Sequence, residues 1–171
     1  EEILKKSRRK PAAYLIPDLQ VKPEIHGIET PALTVSLEDR SLLPEVLTWD
    51  RAEKIYLSLY EAAEEPEILS RCRRAGKQVT VMLPQIVREP ELRFLEQSWE
   101  LLSGPDVDEI CVRSLEELIW LREKQCRKNV LADYMVYCYN REAYRTLKQI
   151  YGQDIRMTMP AELNFDELRD L

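Results

Sequence analysis

Short apolar runs alternate with amphipathic segments along most of the chain, and a polar break follows each run. Apolar residues spaced by three and four, such as Leu92, Leu95 and Trp99, predict helices between the runs. The runs themselves are rich in β-branched and aromatic residues, which favour strands. The six predicted strands lie at 32–37, 54–59, 78–83, 109–113, 130–137 and 155–159. This alternation is typical of βαβ units, which build a parallel sheet with helices packed outside it.

Local start and stop signals support several of these helices. Ser114-Leu115-Glu116-Glu117 matches the capping box that begins a helix. Pro66 and Pro90 stand at positions where a helix can start. Gly152 follows a helical pattern at 141–151 and is the residue type that ends helices in the left-handed conformation.

An open doubly wound sheet and a (β/α) barrel share this pattern of elements. The short, even repeat favours the barrel, and so does the lack of a glycine-rich phosphate turn after the first strand. The four glycines form neither a G-x-G-x-x-G motif nor a Walker loop. We therefore predict an incomplete TIM-barrel-like (β/α) domain with about six parallel strands and helices outside. The strands are expected to be mostly apolar on both faces, as in sheets that are covered on both sides.

The chain divides into two predicted regions. Residues 1–30 are expected to form an extended linker or arm, because proline recurs there every six to eight residues. Its basic run Ser7-Arg8-Arg9-Lys10 fits either a phosphate contact or, as we favour, a solvated charge cluster. The single histidine, His26, lies in this arm without an acidic or cysteine partner, which argues against catalysis. Residues 31–171 form the barrel-like domain, which is expected to be truncated at its C-terminus.

Composition indicates a folded protein with 44% hydrophobic and 33% charged residues. The net charge of −6 argues against a nucleic-acid partner for this segment alone, because phosphate binding needs clustered Lys and Arg. No apolar run has the length of a membrane helix, and the charged start carries no export signal. A cytoplasmic location without membrane contact is therefore expected.

The four cysteines match no metal-binding motif, since none is paired as C-x-x-C and their spacings fit no zinc site. They are Cys72, Cys111, Cys126 and Cys138, of which Cys111 and Cys138 fall inside predicted strands. Buried cysteine behaves as a small apolar residue, so reduced structural thiols are expected. No metal or cofactor is predicted within this chain.

In either parallel architecture, ligands bind at the carboxyl ends of the strands. Arg113, Asn140 and Glu162, near these ends, are predicted to bind ligand. Asp133, a charge inside the pattern of the fifth strand, is predicted with them, although bonding to a neighbouring backbone group or arginine is the role we favour for it. Pairs such as Arg113 with Asn140, or Glu38 with Glu162, could converge on a small polar ligand. The interpretation we favour is that these polar residues cap helices and pair with each other at the rim. Catalytic residues stay unassigned, because the sequence contains no Ser/His/Asp or Cys/His set.

Tyrosines cluster in the last third of the chain. A stacking platform for a ligand is one interpretation of this cluster. The spacings alternate between the faces of a strand and one face of a helix, so core packing is the interpretation we favour. The five tyrosines are Tyr134, Tyr137, Tyr139, Tyr144 and Tyr151.

The segment LADYMVYCYNREAYRTLKQIYGQDIRMTMPAEL resembles peptidase family U32, the collagenase-like peptidases. DEICVRSLEELIWL and VTVMLPQIVRE also resemble units of that family, and the likeness spans roughly residues 32–171. Two positions depart from the pattern: Tyr137 replaces a strand asparagine, and Pro160 replaces the serine of an S-x-E-L motif. Residues at the family's recurring positions are Asp133, Tyr134, Asn140, Glu162 and Leu163.

The resemblance implies a (β/α) barrel-like fold and a peptidase activity. In several branches it implies RNA hydroxylation or ubiquinone synthesis, and some branches hold an iron–sulfur cluster on cysteines downstream of S-x-E-L. The two departures favour a degenerate C-terminal repeat of a larger member. Such a repeat would be non-autonomous, either structural or substrate-positioning.

The partners of such a repeat would be other domains of the same polypeptide. A homo-oligomer is also compatible with this interpretation. The alternatives are a domain of an RNA-hydroxylating enzyme and a small-molecule-binding (β/α) domain that uses Arg113, Asn140 and Glu162. A further alternative is an interaction module that covers another barrel.

Overall fold

Six parallel strands form one sheet, and each strand pairs with its neighbour in the sequence. The computed structural model describes residues 33–169, except the side chains of Phe165 and Arg169, so the predicted arm with its basic run and His26 lies outside the described residues. The sheet curls into a half-barrel with helices alongside, which confirms the predicted incomplete α/β barrel. The strands are β1 (Leu33–Leu37), β2 (Ala52–Ser58), β3 (Gln78–Met82), β4 (Glu109–Val112), β5 (Asn129–Ala132) and β6 (Arg156–Met157).

Helices connect successive strands, as right-handed βαβ crossovers require. Where the sequence predicted a single helix after Pro90, the structure has two helices that meet at Ser98. The helix directly after β2 was not predicted. The helices are α1 (Leu43–Leu47), α2 (Leu59–Glu64), α3 (Glu67–Arg74), α4 (Glu89–Gln97), α5 (Trp99–Ser103), α6 (Leu115–Glu123), α7 (Arg141–Tyr151) and α8 (Phe165–Arg169).

The predicted helix signals act as expected. At the start of α6, the Ser114 hydroxyl accepts from the Glu117 backbone N–H at 3.3 Å. The Glu117 carboxylate accepts from the Ser114 N–H at 3.1 Å, which completes the capping box. Helix α7 ends at Gly152, whose φ of 82° lies in the left-handed region.

The predicted strand at 130–137 is wrong beyond Ala132. Asp133 ends β5, and its carboxylate accepts from the Tyr134 N–H at 2.9 Å. This bond starts a 3₁₀ turn over Tyr134–Val136, and Tyr137 then has a φ of 57°. Cys138 therefore lies in a loop rather than in a strand. The predicted strand at 155–159 is likewise shorter, because only Arg156–Met157 pairs with β5.

The hydrophobic core lies between the sheet and the helices. Alternate residues of the central strands enter it, as a side-chain period of two requires. Burial of this kind is the main stabilising contribution to such a fold. The strand residues in the core are Ile55, Leu57, Val79, Val81, Ile110, Val112, Val130 and Ala132, and the helix residues packed with them include Ile68, Leu95, Leu118, Leu121 and Leu147.

The other face of the sheet, here called the inner face, is polar. Strand register places Tyr56, Thr80 and Glu109 side by side across β2, β3 and β4. Cys111 and Leu131 are also buried but lie outside the helix-facing core cluster. The prediction that both faces are mostly apolar is therefore wrong, because residues that alternate with the core positions point into the half-barrel.

No helix in the described part of the chain is long and apolar enough to cross a bilayer. The four cysteines are free thiols and are buried, in agreement with the expected structural role.

Candidate functional site

A buried charge network occupies the inner face. Glu109 is only 1% exposed, and its Oε2 accepts from Lys54 Nζ at 3.0 Å and from Thr80 Oγ1 at 2.9 Å. Its Oε1 pairs with the guanidinium of Arg156, which lies on the edge strand β6. Both carboxylate oxygens therefore have donors, as a buried charge requires. We call Lys54, Thr80, Glu109 and Arg156 the inner charge network.

Tyr56 extends this network on β2. Burial, together with the smaller effect of the negative charge of Glu109, raises the pKa of its phenol to about 12. The Tyr56 hydroxyl thus keeps its proton near neutral pH and remains a potential hydrogen-bond donor. The network contains two cations and one carboxylate, so its balance is one positive charge.

An ion pair lies at the carboxyl ends of β4 and β5. Arg113 Nε is 3.4 Å from Asp133 Oδ2, and the two side chains are 28% and 12% exposed. The structure thus brings together two of the four predicted site residues. The same guanidinium reaches Met82 Sδ at the end of β3, 3.6 Å away. Arg113 Nε is buried without a hydrogen bond, since its contact with Asp133 lacks hydrogen-bond geometry.

Cys111 lies on β4 between Glu109 of the inner charge network and Arg113 of the ion pair. Burial raises the pKa of its thiol to about 12, and the negative charge of Asp133 acts in the same direction. Burial also raises the pKa of the Cys72 thiol to about 11. These thiols are protonated near neutral pH and are therefore weak nucleophiles.

The other two predicted site residues have local partners. Asn140 Oδ1 accepts from the Ala143 N–H at 2.8 Å and caps α7. Glu162 lies beside Tyr139, where its charge and a hydrogen bond add to the effect of desolvation in raising the pKa of that phenol. Asn140 therefore takes the capping role that the sequence favoured.

Two exposed tyrosines lie in the segment after β5. Tyr134 and Tyr137 are 52% and 67% exposed, so core packing was the wrong interpretation for these two residues. The rings of Tyr137 and Tyr139 stack with centroids 6.2 Å apart. Gln85, after β3, reaches Met135 Sδ in the 3₁₀ turn after β5 at 3.1 Å. The loops after β3 and β5 thus meet over the end of β4.

The inner charge network was missed in the sequence. Polar residues at every second position of β2, namely Lys54, Tyr56 and Ser58, alternate with core residues. Gln78 and Thr80 do the same in β3. This period of two indicates that one face of the sheet is polar. It was the feature of the sequence from which the inner charge network could have been predicted.

No family model and no curated protein matches the sequence. A solved structure of the U32 peptidase Mk0906 superposes on 78% of this chain with a TM-score of 0.57. The fold is U32-like. Sequence identity to that peptidase is 13%, so the likeness concerns the fold alone. This chain covers 61% of the peptidase chain, which is less than two thirds of its length.

The U32-like fold agrees with the architecture that the sequence resemblance implied. The superposed structure belongs to a peptidase, whereas the site described here rests on the residues of this chain. The inner charge network and the Arg113–Asp133 pair come from strands β2 to β6, which form the half-barrel itself.

Proposed function

We propose that this chain is a non-autonomous, substrate-positioning domain of a cytoplasmic U32-type peptidase. Its partners are then other domains of the same polypeptide, which supply the cleavage chemistry. The observation that carries the proposal is the Arg113–Asp133 pair, which lies at the carboxyl ends of the strands above the inner charge network. Parallel barrels bind their ligands at this end.

Arg113 is the residue best suited to hold a peptide. Its guanidinium is partly exposed, and Asp133 and Met82 fix its position. A guanidinium donates hydrogen bonds and accepts none, so it can bind a peptide carbonyl or a terminal carboxylate. The exposed rings of Tyr134 and Tyr137 offer apolar surface beside it for side chains of the peptide.

The cysteines support a positioning role over a nucleophilic one. Burial raises the pKa of all four thiols. The described residues contain no group of three or more His, Cys, Asp or Glu side chains arranged to hold a metal ion. The cysteines of this chain do not fit an iron–sulfur cluster, which needs closely grouped thiolates. A cluster in the full-length protein would therefore use other residues.

The proposal is tested by the binding of fluorescein-labelled gelatin fragments, measured by fluorescence anisotropy. Arg113→Met should weaken binding at least about tenfold, because a charge-assisted hydrogen bond contributes about 1.5–3 kcal/mol. Arg145→Met is the matched control, since Arg145 lies on the outside of α7 and pairs with Glu142. This control should bind as the unchanged chain does.

Two results would contradict the proposal. Equal affinity of the Arg113→Met variant and the control would remove Arg113 from the site, provided that circular dichroism shows both to be folded. Release of fluorescent peptides by this chain alone would show that it needs no other domain for cleavage.

A further inference from the structure

A groove between α4 and α6 lies on the helical side of the half-barrel, and its lining residue Glu117 contacts the backbone of Arg113. It has a volume of about 520 Å³, and its apolar wall includes Val87, Leu92, Ile119 and Trp120. Leu92 and Ile119 are 42% and 37% exposed. We call this surface the α4–α6 groove.

Carboxylates surround this apolar wall. Glu89, Glu116 and Glu123 are exposed residues of the groove, and Arg88 is the basic residue among those that line it. These three carboxylates and Arg88 leave a balance of two negative charges. Glu117 is not counted, because burial raises its pKa to about 7. An apolar strip with acidic margins fits a segment that carries both apolar and basic side chains.

Glu117 gives this surface an acceptor without a donor. The residue lines the groove and is fully buried. Its Oε2 accepts from the backbone N–H groups of Arg113 and Ser114 at 2.5 and 3.1 Å. Its Oε1 is buried and has no hydrogen-bond partner. A buried carboxylate oxygen without a donor is unusual in a folded protein, and lysine and arginine are donors that match it.

We propose that the α4–α6 groove binds the chain's own basic segment, residues 3–10. This segment places Lys5, Lys6, Arg8, Arg9 and Lys10 next to the apolar pair Ile3 and Leu4. It therefore has the two properties that the groove requires, in a length of eight residues.

The connection between segment and groove is long enough. The 22 residues between Lys10 and Leu33 can span roughly 70 Å when extended at about 3.3 Å per residue. A tethered segment also acts at a high effective concentration, so a weak contact suffices to hold it. One of its cations then donates to Glu117 Oε1, and the others face Glu89, Glu116 and Glu123.

Crosslinking in the full chain tests the proposal. Arg9→Cys combined with Glu116→Cys places one thiol in the segment and one at the groove, for reaction with a short bis-maleimide. The native cysteines are buried, which limits side reactions. The control pair combines Arg9→Cys with Glu142→Cys, an exposed position on α7. The groove pair should form the intramolecular crosslink at least fivefold faster, and 1 M NaCl should reduce this advantage.

Equal rates for the two pairs would overturn the proposal. Crosslinks that join two chains, seen as dimers on a denaturing gel at all protein concentrations, would assign the groove to a second copy instead. A further variant replaces all five basic residues of the segment with glutamine. A fluorescein-labelled peptide of residues 3–10 should then bind this variant, measured by fluorescence anisotropy, at concentrations at least fivefold lower than the unchanged chain. Equal affinity for both chains would also overturn the proposal.

Discussion

Glu109 is the residue on which the inner face depends. It is buried in the middle of the sheet, and residues from β2, β3 and β6 donate to its carboxylate. A buried carboxylate is tolerated when its partners are complete, and the loss of its charge leaves buried cations unpaired. Lys54 is the partner most affected, since its side chain is 13% exposed, compared with 58% for Arg156.

We therefore expect Glu109→Gln to lower the free energy of unfolding by about 3 kcal/mol, the range for breaking a buried ion pair. Urea denaturation followed by circular dichroism measures this change. Glu100→Gln on α5 is the control, because Glu100 is exposed and should change stability by less than about 0.5 kcal/mol. If Glu109→Gln lowered the free energy of unfolding as little as the control does, water would already solvate the charge of Lys54.

The positions of the residues explain why the Arg113–Asp133 pair could be predicted in part and the inner charge network was missed. Arg113 was predicted at the end of one strand and Asp133 inside the next, and because β5 ends at Ala132, both side chains lie at the carboxyl ends of neighbouring parallel strands. Contact between Glu109 and Thr80 depends in addition on the register of β3 and β4. Register is set by packing across the whole sheet, which a single sequence does not state.

Among the elements, α7 has the clearest end. Gly152 closes it in the left-handed conformation, and its N–H bonds to the Lys148 carbonyl at 2.7 Å. A Cβ at this position would meet no atom within 4 Å, so crowding does not exclude one. The constraint lies in the backbone, because residues with a Cβ disfavour positive φ.

Gly152→Ala should accordingly destabilise the protein by about 1 kcal/mol, a figure typical of left-handed positions. Gly152→Asn should destabilise the protein less than Gly152→Ala does, because asparagine adopts the left-handed conformation more readily. Thermal unfolding of the two variants measures the difference. If the two variants were destabilised equally, the backbone conformation would not be the reason for glycine at this position.

The element that the sequence missed illustrates a limit of residue preferences. The residues from Val130 to Tyr137 favour strands, yet Asp133 starts a 3₁₀ turn in their middle. One side-chain hydrogen bond to the next backbone N–H outweighs the preference of the following residues. Helix starts were better predicted, because the capping box at Ser114 is itself a local hydrogen-bond pattern.

At the scale of the molecule, stability should fall from the centre of the sheet to its edges. Strands β3 and β4 pair on both sides, and their core residues Val79, Val81 and Ile110 are fully buried. Strand β6 pairs through two residues, and most side chains of β1 are exposed. Local opening therefore requires less free energy at the edges.

Hydrogen exchange measured by mass spectrometry checks this gradient. Amides of β3 and β4 should exchange at least tenfold more slowly than those of β1 and β6. Uniform protection across all six strands would contradict the expectation, and would indicate that the two edges are covered in solution.

The order of the sheet has a consequence for how the protein is made. Each strand after β1 hydrogen-bonds to the strand that precedes it in the chain. The pairing of these six strands therefore needs no contact between strands that are far apart in the sequence. Contacts between sequence neighbours form early and at low entropic cost. During synthesis on the ribosome, each newly emerged strand therefore meets an edge that has already formed. The half-barrel can grow in one direction, one strand and its helix at a time.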